Sequence, residues 1–258
     1  MMLSVAVGGV VAAGLAVAVM LRRRKEPAPP TPQLTLFGSA KFRTRRNVWM
    51  LEEMGLPYEL VPLQPTEMSP AGFKRFQEEA RAKANPLGKI PALLDGELLV
   101  YESVAINTFL GDRYRSWPGC ADLVPLPGSD ARGRYERLTC CMLAELDAQA
   151  LWIHRKHAGK VAPLIGSDNP DAVRVARAHA DRVIDVLATE LAASGGEYLL
   201  GASFSAADIL LVHCLSWAEM IGWGERWKVP QDEAMRCLAA YAARCRARPA
   251  CIRAWESP

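Results

Sequence analysis

The residues whose types and spacing carry chemistry are Asn85-Pro86-Leu87-Gly88-Lys89-Ile90-Pro91 and, further on, Glu102-Ser103. A proline opening a strand removes one ladder donor, and an Ile-Pro bond is of the type that adopts the cis form. That places the Ile90 N–H and C=O outside the sheet, free to pair with an extended peptide as if it were a further strand. Ser103 caps a helix and, with the free N–H groups of the first turn, forms a site suited to a carboxylate. Glu102 beside it accepts from an ammonium group. One end of a small zwitterionic peptide is thereby specified.

These residues need a scaffold, and residues 34–114 alternate strand and helix signals. Leu34 to Phe37 predicts a short strand ended by Gly38-Ser39. A helix follows from about Thr44 through Val48, Leu51 and Met54, stopped at Gly55 with Pro57 beyond. Tyr58 to Leu63 predicts a second strand, and Phe73 to Lys83 a helix with an exposed charged face. Ile90 to Leu94 and Leu98 to Tyr101 flank Asp95-Gly96, a hairpin signal, before the helix at Ser103. The order is β-α-β, then α, then β-β-α. Residues 115–130 are rich in Pro and Gly and form a linker. Residues 131–258 are helical: Leu138, Met142, Leu146 and Ile153 mark one helix, and Val173, Ala176, Ala180, Val183, Leu187 and Leu191 another. Ser205 with Asp208 predicts a capping box, Phe204 and Ile209 taking the staple positions.

The chain has 258 residues and a net charge of +3, which suggests an acidic partner until the charge is located. Arg22, Arg23, Arg24 and Lys25 against Glu26 account for all of it, and the rest of the chain balances to zero. A neutral body has no field to hold a polyanion, which excludes nucleic acid as the expected partner. Leu3 to Leu21 is a run of 19 uncharged residues, about 28 Å long as a helix, close to a bilayer's hydrocarbon core. Its basic flank follows the run rather than preceding it. The expectation is an uncleaved anchor over residues 1–25 with the remainder on the cytosolic side. The prolines of 26–33 make a semi-rigid tether about 25 Å long. Seven cysteines without a C-x-x-C pair fit reduced, partly buried thiols on that side.

The chain resembles the soluble glutathione S-transferase family. The resemblance rests on Asn-Pro-x-Gly-Lys-Ile-Pro at 85–91, Glu102-Ser103, and Leu51-Glu52-Glu53-Met54-Gly55-Leu56-Pro57-Tyr58-Glu59. It rests also on Tyr198-Leu199-Leu200-Gly201-Ala202-Ser203-Phe204-Ser205-Ala206-Ala207-Asp208-Ile209 and on Arg244-Cys245-Arg246-Ala247-Arg248-Pro249. It implies a thioredoxin-like domain over 34–114 that binds glutathione through Lys89, Ile90, Pro91, Glu102 and Ser103, with Lys83 the alternative to Lys89. It further implies an all-helical domain over 131–258 and a homodimer. Together with the anchor read from residues 1–25, the function expected is a membrane-anchored transferase that conjugates the glutathione thiolate to a hydrophobic electrophile, without a metal. A non-catalytic tethered module, a scaffold or a subunit of a membrane complex, is the alternative. The membrane is the mitochondrial outer membrane or endoplasmic reticulum in a eukaryote and the inner membrane in a bacterium.

In that family a Ser, Tyr or Cys near the start of the first helix holds the thiolate, where a hydroxyl and the helix dipole lower its pKa. Here that position falls near Lys41 or Phe42. Ser39 and Thr44 flank it and are the candidate catalytic hydroxyls, Thr44 being equally placed as a helix cap. Arg43, Arg45 and Arg46 offer positive potential without any hydroxyl. Glutathione-dependent disulfide reduction is disfavoured, because residues 34–114 contain no cysteine. Helix 135–153, with Tyr135, Met142 and Trp152, is expected to line the electrophile pocket. His154 and His157 lack further ligands for a metal, and Trp217, Trp223 and Trp227 are expected in the core or an interface.

Overall fold

The structure, a computed structural model, describes residues 31–258. The expected anchor over 1–25 and most of the tether over 26–33 lie outside the described residues. Among the described residues no helix is long and apolar enough to cross a membrane.

The first half carries β1 (Leu34–Gly38), α1 (Arg45–Met54), β2 (Tyr58–Pro62), α2 (Pro70–Lys83), β3 (Ala92–Asp95), β4 (Leu98–Tyr101) and α3 (Ser103–Arg113). The sheet order is β2-β1-β3-β4, with β1 parallel to β2 and antiparallel to β3. This is the expected thioredoxin-like arrangement. Alternation along β1 sends Leu34 and Leu36 to the main core, with α1 and α3, and Phe37 to a small cluster with Phe76 and Ala80 of α2. Gly55 ends α1 as expected, at φ 61°, its N–H returned to the Leu51 carbonyl. The hairpin turn is Gly96-Glu97, since Asp95 itself pairs with Leu98. The third strand begins at Ala92 rather than Ile90, and α2 begins earlier than expected because Ser69 accepts from the Gly72 N–H at 3.1 Å and Pro70 opens the helix.

The second half is helical: α4 (Asp130–Cys141), a π-helical stretch (Met142–Leu151), α5 (Trp152–His157), α6 (Ala162–Ile165), α7 (Pro170–Ala193), α8 (Ala206–Met220), α9 (Glu225–Lys228), α10 (Glu233–Arg246) and α11 (Pro249–Glu256). The stretch expected as one α-helix from Leu138 to Ile153 is therefore continuous but widened in its middle. One hydrophobic core runs through both halves, with α1 packed on α3, α8 and α11.

Asp208, in the first turn of α8, is fully buried. It accepts from the Ser205 N–H at 2.7 Å, the Leu199 N–H at 2.9 Å and the Tyr241 hydroxyl at 2.9 Å. Burial pushes its carboxyl above the usual range despite these donors. The motif thus ties α8, the 198–201 turn and α10 together, a structural role as expected. Asp208→Ala strands four buried donors, since the Ser205 hydroxyl also donates to it at 2.8 Å, and is expected to lower stability by about 3 kcal/mol in urea unfolding. Asp208→Asn, which keeps volume and one acceptor oxygen, is expected to lose less.

Candidate functional site

Three backbone ends meet at one place: the turn before α1, the loop before β3, and the start of α3. The Ile90–Pro91 peptide is cis, and Pro91 is buried while Ile90 is half-buried and Lys89 exposed. Glu102 is exposed and holds φ 73°, ψ 115°, the only positive φ outside glycine among the described residues. Such a backbone costs about 1–3 kcal/mol and persists where surrounding structure imposes it. Glu102, not Ser103, is the cap residue of α3, and its side chain makes no capping bond. Ser103 sits one residue inside, at the first helical position.

The Ser103 hydroxyl is turned to a different use. Its Oγ accepts from Nη1 of Arg46 at 3.2 Å, while its carbonyl accepts from Asn47 Nδ2 at 2.8 Å. Asn47 also donates to Asn107 at 2.7 Å, so the starts of α1 and α3 are stitched side by side. A hydroxyl that accepts from a guanidinium keeps its single proton free for an outside acceptor.

Arg46 is wholly buried, and its other nitrogens reach into the helical half. Nη2 donates to Asp147 Oδ2 at 2.5 Å and Nε to His213 Nδ1 at 3.2 Å. Arg43 makes a second, bidentate pair with the same carboxylate, its Nε lying 3.0 Å from Oδ2. Burial alone would raise the Asp147 carboxyl, but Arg46 and Arg43 hold it well below the usual carboxylate range. Burial and Arg46 together push the His213 ring well below its ordinary value, so it is neutral and accepts at Nδ1. Two guanidinium groups on one carboxylate leave an excess positive charge behind Ser103.

The turn before α1 carries the two candidate hydroxyls. Ser39 is 1% exposed, its Oγ accepting from the Lys41 N–H at 3.3 Å. Thr44 is 0% exposed, and its hydroxyl is buried without a hydrogen-bond partner. It lies against Gly38, where a Cβ would stand 2.2 Å from Oγ1 at φ +147°, so only glycine fits there. Thr44 occupies the cap position of α1 without making a capping bond. As placed, neither hydroxyl opens to solvent. The Arg43 and Thr44 amides make no hydrogen bond among the described residues, whereas the Ala40 N–H is taken by the Pro258 carbonyl at 2.8 Å.

On the helical side, Arg43 lies between the rings of Trp152 and Trp217, 4.8 Å from each centroid. Of the helix expected to line a second pocket, Tyr135 and Met142 are inside the core, and Tyr135 bonds Thr108 at 2.8 Å. Trp152 alone of the three is half-exposed beside the turn. Trp223 and Trp227 are core residues, His154 stacks edge-on against Trp223, and Lys83 pairs with Glu79. Sequence reasoning missed Asp147. Its signal was present: a lone acid on the apolar face of Leu146, Ala150 and Leu151 must find a buried cation.

A family profile described as glutathione S-transferase, N-terminal domain, matches residues 43–113, and one described as glutathione S-transferase, C-terminal domain, matches 152–244. Glutathione S-transferase 3 of Zea mays is 31% identical over 171 residues, 63% of this chain and 68% of that protein. Glutathione S-transferase F10 of Arabidopsis thaliana is 28% identical over 182 residues, covering 68% and 76%. Among solved structures, glutathione transferase F7 of Populus trichocarpa superposes with a TM-score of 0.70 at 22% identity over 86% of this chain and 98% of that one, a likeness of fold. The transferase URE2P8 of Phanerochaete chrysosporium, solved with oxidized glutathione, gives 0.65 at 25% identity, covering 87% and 94%.

The Asp147 cluster generates a test of its own. A depressed carboxyl stabilises the fold fully above its unfolded pKa, near 4, and loses that contribution as pH falls toward its folded value. Asp147→Asn is expected to lower stability at pH 7 by about 3 kcal/mol, because Arg46 is left buried without its anion. The variant should also lose less further stability than the parent between pH 4 and pH 2, both measured by denaturant unfolding.

Proposed function

Because the chain belongs to the glutathione S-transferase family, we propose that it binds glutathione where these three backbone ends meet and transfers its thiolate sulfur to an electrophilic carbon. The observation that carries this is the Ser103 hydroxyl, fixed by Arg46 and backed by excess positive charge, beside the strained Glu102. In this reading Ser103 and the first N–H groups of α3 take the γ-glutamyl carboxylate, and Glu102 takes the ammonium. The Ile90 N–H and C=O pair with the cysteinyl backbone as an added strand, Pro91 holding that edge and Lys89 reaching the second carboxylate. No metal enters.

The sulfur then lies at the start of α1. There the free Arg43 and Thr44 amides, the helix dipole and Arg43 lower the thiol pKa, while Ser39 and Thr44 brace the turn from within. In the transfer the S–C bond forms as the leaving group departs with its electron pair, and the thiol proton goes to solvent. Orientation of the two reactants supplies the rest of the acceleration. The second reading, a glutathione-binding module without turnover, is favoured by one feature: no hydroxyl faces out at Lys41 or Phe42.

Two further parts complete the proposal. The edge strand β4 exposes Leu98, Leu99 and Tyr101, and an open depression of about 600 Å³ beside it is lined by Val100, Val104, Phe109 and Leu143. A second copy of the chain covers this face, forming a homodimer. Residues 1–25 anchor each subunit, with the folded part on the cytosolic side, for which the uncharged run and its basic flank are the support.

Ser103→Ala is expected to weaken glutathione binding in calorimetry at least tenfold, about 1.4 kcal/mol. Unchanged affinity removes the assigned carboxylate site. Conjugation of 1-chloro-2,4-dinitrobenzene separates the two readings, since binding without turnover selects the module. If turnover occurs, Thr44→Val and Ser39→Ala are expected to keep kcat/KM within about threefold, and a hundredfold loss in either identifies that hydroxyl as the catalytic one. The full chain is expected to stay with membranes in alkaline carbonate and to sediment in detergent as a dimer that Leu99→Lys dissociates.

A further inference from the structure

The transfer reading leaves the second substrate unnamed, and the side chains between α1 and α5 bear on it. Phe42, Trp152 and Trp217 give this face its ring surface, and none of the three is fully buried. Arg155 lies 5.5 Å above the Phe42 ring and 5.8 Å from Trp152, and Lys156 Nζ lies 5.9 Å from Trp152. Lys41, next to Phe42, is exposed.

The charge on this face is one-sided. Among the described residues Lys41, Arg155 and Lys156 have no carboxylate within 4.0 Å. Asp147 is the acid that reaches the group, and it is already shared by Arg43 and Arg46. Cations held over ring faces, half-desolvated and without a counterion, gain most from an anion that arrives with its own flat apolar surface. Burial and the neighbouring Arg43 both lower the Arg155 pKa, so an anion there relieves a repulsion already present.

We propose that the electrophile is an aromatic or similarly flat molecule carrying a carboxylate or sulfonate, its ring on Phe42 and Trp152 and its anionic group on Arg155 and Lys156. This rests on the transfer reading and replaces the expectation of a purely hydrophobic acceptor. With an aryl chloride, the glutathione sulfur attacks the carbon bearing chlorine. The S–C bond forms, the C–Cl bond breaks, chloride leaves with the electron pair, and the thiol proton passes to solvent.

The test uses 4-chloro-3,5-dinitrobenzoate and its carboxamide, with each rate divided by the uncatalysed rate with glutathione. The full-length protein is expected to prefer the carboxylate at least tenfold in kcat/KM. In the Arg155→Gln, Lys156→Gln double variant the preference should fall below threefold while the carboxamide rate holds. A parent that shows no preference, or a double variant that keeps it, overturns the proposal and leaves the transfer reading standing. Binding is measured separately with unreactive 3,5-dinitrobenzoate and 3,5-dinitrobenzamide, followed by tryptophan quenching. A tenfold tighter carboxylate, lost in the double variant, supports the proposal even if no turnover occurs. Equal affinities overturn it whatever the turnover shows.

Discussion

Asp147 accepts from Arg46 and Arg43 at the meeting of the two halves, and the geometry of the site depends on that one carboxylate. Remove its charge and Arg46 is a buried cation without an anion, a state that folded chains avoid at a cost of several kcal/mol. Arg46 must therefore point at Asp147. That fixes its other nitrogens against Ser103 and His213, and the start of α3 is placed relative to the start of α1. The helical half thus sets the orientation of the Ser103 hydroxyl through Asp147 and Arg46. The π-helical widening of Met142–Leu151 contains Asp147 and faces it inward with Leu146 and Ala150.

The same cluster explains why a strained residue survives beside it. Glu102 at φ 73° is held between β4, paired through Tyr101 to Ala92, and α3, stitched to α1 through Asn47 and Asn107. Neither side can relax alone, because each belongs to the common core. The strained, exposed Glu102 directly precedes the first amides of α3, and in the proposed binding mode the two would meet a zwitterion's two charges at once. Preorganisation of this kind lowers the ordering entropy lost when a flexible tripeptide binds.

Local rules made much of this legible in the sequence. Gly55 with Pro57 ended α1 correctly, Asp95-Gly96 located the hairpin, and Ser205 with Asp208 located a cap that ties three elements. The loop 85–91 with Glu102-Ser103 was legible as a candidate cradle because its chemistry is backbone chemistry, set by proline and by a helix start, and the structure gives it a cis Ile90–Pro91 bond and a positive φ at Glu102. What escaped was non-local. Ser103 looked like a cap, but its partner is an arginine 57 positions earlier, and nothing near Ser103 in the chain announces it. The hydroxyls of Ser39 and Thr44 are candidates by type, whereas both are buried, Thr44 because Gly38 lets it fold back against the end of β1. The anchor and most of the tether fall outside the described residues, so their reading rests on the uncharged run, its basic flank and the prolines that follow.

Charge placement also bears on how the two reactants of the proposed transfer would meet. A thiolate and an anionic acceptor repel, and in water at a few ångströms that repulsion is about 1 kcal/mol, rising as the surroundings become less polar. A site that brings them together needs positive charge that salt does not screen away. The neutral body cannot supply it as a whole-molecule field, since its charges balance. It supplies it locally, by giving one buried acid two arginines and leaving Arg155 and Lys156 with no carboxylate within 4.0 Å among the described residues. Because the Arg43–Arg46–Asp147 excess is desolvated, it keeps its strength at physiological ionic strength, where an exposed patch would lose most of its reach within about 8 Å. In the proposed transfer the same excess would lower the pKa of a thiol at α1 and offset the approach of a second anion, so one fixed field would serve both reactants.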